Sequence, residues 1–167
     1  VLFRSLCARD LSGVIHVRPY FFAPREGLYE RAKRDRVPYD LWAREGYLTL
    51  TEGVSVDYDV VALHISDIIS GLNVKSIAFD RWNIDHFNSA LSRKCIELPM
   101  VPFIQGFKGM SQALNTLESD LLNKNIRHGG NPILTMCAAN AAVITNPTGQ
   151  RMLDKHKSTG RIDGMVA

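Results

Sequence analysis

The stretch from Asp57 to Asn83 limits the possible folds more than any other in the chain. Val61, Ile65, Ile68, Ile69 and Leu72 recur at helical spacing. Asp57 or Asp59 can cap this helix, and Gly71 and Asn73 mark its end. Lys75 to Phe79 follows as a strand, and the apolar run Ile77-Ala78-Phe79 suits one covered on both faces. Asp80 comes where that strand runs out, and Asn83 can cap the next helix. With a short strand at Tyr47 to Thr51 before the helix, the spacing predicts a crossover unit with parallel pairing. Ligand and metal groups usually collect at the carboxyl ends of such strands. The chain therefore reads as α/β, with Asp80 as a focus.

The other segments suit that class. Asp10-Leu11-Ser12-Gly13 reads as a turn, and Val14 to Phe22 as the second half of a hairpin. The first half is expected at or before the start of the chain, since Val1 to Ala8 carries no clear signal. Arg25 to Arg36 reads as a solvated helix, and Pro38 to Gly46 as a shorter one. Asn83 opens a helix with Ile84, Phe87 and Leu91 on one face, and Leu98 to Ile104 reads as a buried strand. Gln105 to Gly109 reads as a flexible connection, with Ser111 capping a helix that carries Leu114, Leu117 and Leu121. In Gly129-Gly130-Asn131-Pro132, Asn131 is the expected cap and Pro132 the first helical residue. Ala142 to Thr145 reads as a strand and Asn146 to Gly149 as a turn. The polar loop Lys155 to Arg161 then leads to a terminal helix with Asp163 in its first turn.

The 167 residues suffice for one domain with a substantial core. A net charge of +3 permits nucleic-acid contact without requiring it. Cys7, Cys95 and Cys137 are dispersed, with no C-x-x-C pair, so neither a disulfide framework nor a structural zinc site is indicated. No apolar run is long enough to span a membrane. A reducing cytoplasm is the natural reading. Val1 at one end and Met165-Val166-Ala167 at the other read as interior sequence, so the chain is expected to be a fragment.

Asp80 and Asp163 are the candidate metal ligands. If the fold brings them together, their hard oxygens suit divalent ions, which can activate water and stabilise a leaving oxygen in phosphodiester cleavage. A carboxylate at the start of a helix is also simply a favourable cap or first-turn residue. Arg81, Lys155, Lys157 and Arg161 are candidate DNA-phosphate contacts, with ordinary solvated charge as the plainer use of each. The loop Lys155-His156-Lys157-Ser158-Thr159-Gly160-Arg161 could track a DNA backbone into Asp163. No Walker A sequence is present, so ATP hydrolysis is not expected of this chain.

An ordered series of motifs gives these residues a context. It comprises Pro19-Tyr20-Phe21-Phe22, Val37-Pro38-Tyr39-Asp40-Leu41-Trp42, Gly46-Tyr47-Leu48-Thr49, Val56-Asp57-Tyr58-Asp59, Phe79-Asp80-Arg81-Trp82-Asn83, Gln105-Gly106-Phe107, Met110-Ser111, His128-Gly129-Gly130-Asn131-Pro132 and Lys157-Ser158-Thr159-Gly160-Arg161-Ile162-Asp163-Gly164. In this order the chain resembles the C-terminal nuclease domain of tailed-bacteriophage terminase large subunits, from Pro19 onward.

The resemblance implies an RNase H-like mixed sheet flanked by helices, truncated here at the first strand. It implies a metal-dependent endonuclease that cuts concatemeric viral DNA during packaging in the host cytoplasm, using Mg2+ or Mn2+ held by Asp80 and Asp163. It also implies double-stranded DNA, a small terminase subunit, the portal protein and an N-terminal ATPase domain as partners. The family's first catalytic Asp lies on a strand upstream of Pro19. Asp10-Leu11-Ser12 is superficially similar, but the next strand follows too closely. Asp10 is therefore read as a turn residue, and the first Asp is expected to be missing. On that basis the chain is expected to be a weak or inactive nuclease. A non-catalytic RNase H-like module that binds DNA or docks a partner is the alternative.

Overall fold

The computed structural model describes residues 2–80 and 84–166. Its central strand is β2 (Ile15–Pro24), which pairs antiparallel with β1 (Leu2–Arg9) along one edge. On its other edge β2 pairs in parallel with β3 (Thr49–Thr51) near its end and with β6 (Ile126–Arg127) near its start. The sheet is thus mixed, as expected.

The first half of the hairpin lies within residues that carry no clear strand signal. Arg4, Ser5 and Arg9 interrupt the apolar alternation of β1, and pairing with β2 supplies the order that its own residues do not. The turn between the strands is built by Asp10. Its Oδ1 accepts hydrogen bonds from the Ser12 and Val14 amides at 2.9 and 3.0 Å, and Gly13 adopts φ 88°. Hydrogen bonds from the Ser12 hydroxyl and from His16 hold the Asp10 carboxyl well below its usual range.

β4 (Ile77–Asp80) and β5 (Met100–Phe103) form a separate parallel pair joined through α4 (Ile84–Arg93). The crossover therefore lies between β4 and β5, not between β3 and β4 as the spacing predicts. The edge of β2 takes β3 and β6, and β4 finds its partner one helix later. The strands are also less enclosed than their apolar runs imply, with Ala78, Val101 and Pro102 exposed. β7 (Val143–Thr145) and β8 (Arg151–Leu153) make a small hairpin around the expected Asn146–Gly149 turn. Asn146 Oδ1 organises this turn by accepting from the Thr148 and Gln150 amides at 3.1 and 2.8 Å.

Successive residues of β2 feed two cores. Phe21 and Ala23 pack with Tyr39 of α2 (Tyr39–Arg44), Leu48, and Ile133 and Cys137 of α6 (Pro132–Asn140). Phe22 packs with Val61, Ala62 and Ile65 of α3 (Tyr58–Ile69) and with Phe87, Ala90 and Leu91 of α4. Each large apolar side chain among these contributes about 1.5–3 kcal/mol by leaving water, which fixes the helical layers on both faces of the strand. A third cluster joins Met110 and Leu114 of α5 (Phe107–Leu122), Leu153, and Ile162 just before α7 (Asp163–Val166). α1 (Leu28–Asp35) packs beside α2.

Two helix starts are informative. Asn131 caps α6 as expected, its Oδ1 accepting from the Ile133 and Leu134 amides at 3.0 Å each. α5 starts earlier than the sequence predicts, at Phe107 after an extended Gly106, and Ser111 lies inside it. Gly109 lies in its first turn, where a Cβ would fall 2.0 Å from the Ile104 carbonyl oxygen. Its glycine thus serves close packing of the first turn, not flexibility. The Ser111 hydroxyl instead accepts the Arg151 amide of β8 at 3.1 Å.

Candidate metal and nucleic-acid site

Asp80 is the last residue of β4, half-buried, and stands in register with Phe103 of β5. Phe103 packs onto the cluster that contains Ile162, the residue before Asp163. One apolar cluster therefore links the strand pair that carries Asp80 to the helix that carries Asp163.

α7 is pressed tightly against its neighbours. A Cβ at Gly164 would lie 3.2 Å from Phe21 Cζ and Cys137 Sγ, and 3.3 Å from Leu134 Cδ1. Glycine lets α7 sit this close to β2 and α6 without the small shift of Phe21, Cys137 or Leu134 that a Cβ would require. Cys137 is buried, and burial pushes its thiol up, aided by the Asp163 carboxylate; a hydrogen bond from the Gly164 amide acts the other way. This thiol is held in its protonated, unreactive form.

Asp163 meets one of the predicted cations. Lys155 Nζ donates to Asp163 Oδ1 at 2.9 Å. The carboxylate is a hard oxygen donor and in that respect suits a divalent ion such as Mg2+, which commonly takes one or two carboxylates and completes its shell with water and phosphate; Lys155 occupies the same oxygen and competes for it. Among the described residues no group of three or more His, Cys, Asp or Glu side chains converges as a metal cage. Asp10 contributes nothing here, because its carboxylate is engaged at the hairpin turn with Ser12, Val14 and His16.

The loop between β8 and α7 is stapled in place. Asp154 Oδ1 accepts from the His156 and Lys157 amides at 2.8 and 3.3 Å. The Ser158 hydroxyl donates to the Asp154 carbonyl and accepts from the Ala142 amide. Asn140, at the end of α6, accepts the Thr159 hydroxyl at 3.1 Å and donates to the Arg161 carbonyl at 3.2 Å. A Cβ at Gly160 would fall 2.7 Å from Asn140 Nδ2, so glycine permits this approach. Asn140 and Asp154 were not among the residues singled out from sequence. An Asp two residues before a polar loop residue is an Asx-turn signal that points to Asp154; nothing local marks Asn140.

The remaining candidates are dispersed. Arg161 Nε lies 3.8 Å from Asp35 Oδ2 at the end of α1 and is paired there. Lys157 is exposed on the loop. Arg81, with Trp82 and the expected cap Asn83, lies outside the described residues. Asp57 caps α3 through the Asp59 amide at 2.8 Å, while Asp59 pairs with Arg93 and Lys94. Both acids are thus structural, as the capping reading expects of Asp57. Among the described residues no helix is long and apolar enough to cross a membrane.

Comparison with known proteins follows the same chain order. A family model described as the terminase large subunit, endonuclease domain, matches residues 7–167. The large terminase subunit of Enterobacteria phage HK97 is 53% identical over 155 residues, covering 93% of this chain and 31% of that protein. Protein YmfN of Escherichia coli strain K12 is 28% identical over 171 residues, covering 97% of this chain and 37% of that protein. The crystal structure of the HK97 bacteriophage large terminase superposes with a TM-score of 0.92 at 50% identity, covering 98% of this chain and 34% of that one. The chain spans about a third of the length of these relatives.

Proposed function

The chain belongs to the family of terminase large-subunit endonuclease domains, and from that premise we propose that it cuts viral DNA during genome packaging. The reaction is hydrolysis of a phosphodiester bond in concatemeric double-stranded DNA, with Asp80 and Asp163 holding Mg2+ or Mn2+. The observation that carries this reading is the match over residues 7–167, within which both carboxylates stand at element ends tied to one apolar cluster.

A divalent ion held by Asp80 and Asp163 would supply Lewis-acid charge and would make water more acidic at that point. Asp80 and Asp163 supply the oxygen ligands and fix their direction, since one ends a paired strand and the other follows the buried Ile162. Lys155 and Lys157 supply positive charge for the DNA phosphates beside the carboxylates. Arg81 belongs with them by its place after Asp80, and Arg161 serves the same loop from its anchor on Asp35. The small terminase subunit, the portal protein and an ATPase domain on the same polypeptide complete the proposed assembly, in the host cytoplasm.

Asp80→Ala and Asp163→Ala, each made in the complete nuclease domain with its first catalytic Asp present, are expected to abolish manganese-dependent plasmid cleavage while leaving the fold intact. Unchanged cleavage by both variants would remove the assignment. A second reading, a non-catalytic module that grips DNA or docks a partner, is favoured by one observation: Asp163 is already neutralised by Lys155. Calorimetric titration with Mg2+ or Mn2+ separates the two, because only the nuclease site takes up metal in a way that Asp80→Ala abolishes.

A further inference from the structure

We propose that Lys155 is an exchangeable counter-ion of Asp163, displaced when a divalent metal binds and thereby released toward the DNA phosphate. The inference rests on the reading of Asp163 as a metal ligand and adds a role for the lysine that guards it.

The pair is set by the fold and is not a chance meeting of surface charges. Lys155 follows the buried Leu153 by two residues, and Asp163 follows the buried Ile162 directly. Leu153 and Ile162 belong to one cluster, so both side chains spring from anchored backbone. The residues between them are held by Asp154, Asn140 and Ser158. The loop therefore keeps the Lys155 backbone in place while the side chain remains free to move.

The contact itself is easily exchanged. The Lys155 side chain is 59% exposed and the Asp163 side chain 28%, with Nζ and Oδ1 2.9 Å apart. Water screens an ion pair in this setting, and it is given up at little cost. A divalent ion on the same carboxylate would face an ammonium within a few ångströms, and the two would compete for one oxygen with a repulsion that water reduces but does not remove. The two cations therefore exclude one another at Asp163. The metal is the stronger partner for a hard carboxylate oxygen, and lysine is a flexible chain with three donors. Once displaced, the ammonium has its attachment point fixed beside the metal, where a bound DNA phosphate is the nearest anion.

Charge explains what the exchange achieves. Without metal, Lys155 neutralises Asp163 and spares the carboxylate from repelling approaching DNA. With metal, the carboxylate charge is met by the ion and the lysine charge becomes available to phosphate. Arrival of metal thus strengthens the hold on DNA by one cationic contact.

The test is calorimetric titration of the protein with Mn2+ in the absence of DNA, for the wild type, Lys155→Met and Lys157→Met. Lys155→Met is expected to bind Mn2+ about two- to fivefold more tightly than the wild type, the range of an exposed ion pair. Lys157→Met changes the loop charge equally but makes no contact with Asp163, and its Mn2+ affinity is expected to match the wild type. Equal, measurable affinity in all three proteins, or weaker binding by Lys155→Met, would overturn the exchange while leaving the metal reading in place. Absence of Mn2+ binding in all three would overturn both.

A second measurement reads the release of the lysine. With Ca2+ present, the slope of log DNA affinity against log salt is expected to steepen by about 0.9 more in the wild type than in Lys155→Met. Identical changes in both proteins would contradict release toward phosphate.

Discussion

Tyr39 shows how a single residue links the core to the cationic loop. Its ring is only 2% exposed, yet its hydroxyl reaches out to donate to Asp35 Oδ2 at 3.1 Å. Burial, with the nearby Asp35 carboxylate and its hydrogen bond, pushes the phenol up to about 12. Asp35 also receives Arg34, whose hydrogen bonds hold its carboxyl below the usual range, and Arg161 from the loop before α7. An unfolded tyrosine ionises near pH ~10. The folded state therefore binds the phenolic proton more tightly, and the resulting stability is complete below about pH 10. It is lost as pH rises from there to about 12. Tyr39→Phe is expected to flatten the alkaline fall in stability across that window, measured as urea midpoint against pH. Coincident curves for variant and wild type would contradict the linkage. The hydroxyl contact of Tyr39 depends on Asp35 of α1, and no local pattern in the sequence marks it.

At the scale of elements, glycine packing positions the candidate site. Gly109 lets the first turn of α5 lie on the Ile104 carbonyl, and α5 in turn supplies Met110 and Leu114 to the cluster under α7. Gly109→Ala sets a Cβ 2.0 Å from backbone that has no rotamer to yield. A destabilisation on the order of 3 kcal/mol is expected, at the upper end of overpacking effects, measured by chemical denaturation. A change below ~0.5 kcal/mol, typical of a free surface position, would contradict the close approach.

The same region shows what was legible in the sequence. The amphipathic spacing of α3 and the Asn131-Pro132 start of α6 are local signals, and both elements occur where they are expected. β1 and β8 are defined by their pairing partners, since Arg4, Ser5, Arg9 and Arg151 break the alternation that marks a strand. Gly106 to Gly109 reads as a flexible link because two glycines usually loosen a chain. Here contact with Ile104 decides the outcome, and that contact is tertiary.

In the whole molecule, β2 carries alternate side chains into two cores, while a third cluster joins α5, β8 and α7 and links the Asp80 and Asp163 elements. The motif order was enough to place the chain in its family, and the mixed α/β architecture agrees with it. The pairing of Lys155 with Asp163 is not readable from the sequence, because seven residues lie between them and only tertiary contacts, the staples from Asn140 and Asp154 with the Leu153–Ile162 cluster, bring them together. The central claim is that Asp80 and Asp163 share a divalent ion. Crystals of the protein soaked in Mn2+ test it through the anomalous signal of the metal. The account expects a peak within bonding distance, roughly 2.2 Å, of an oxygen of each carboxylate, with Lys155 moved off Asp163. No peak at either carboxylate, with Lys155 still seated on Asp163, would contradict it.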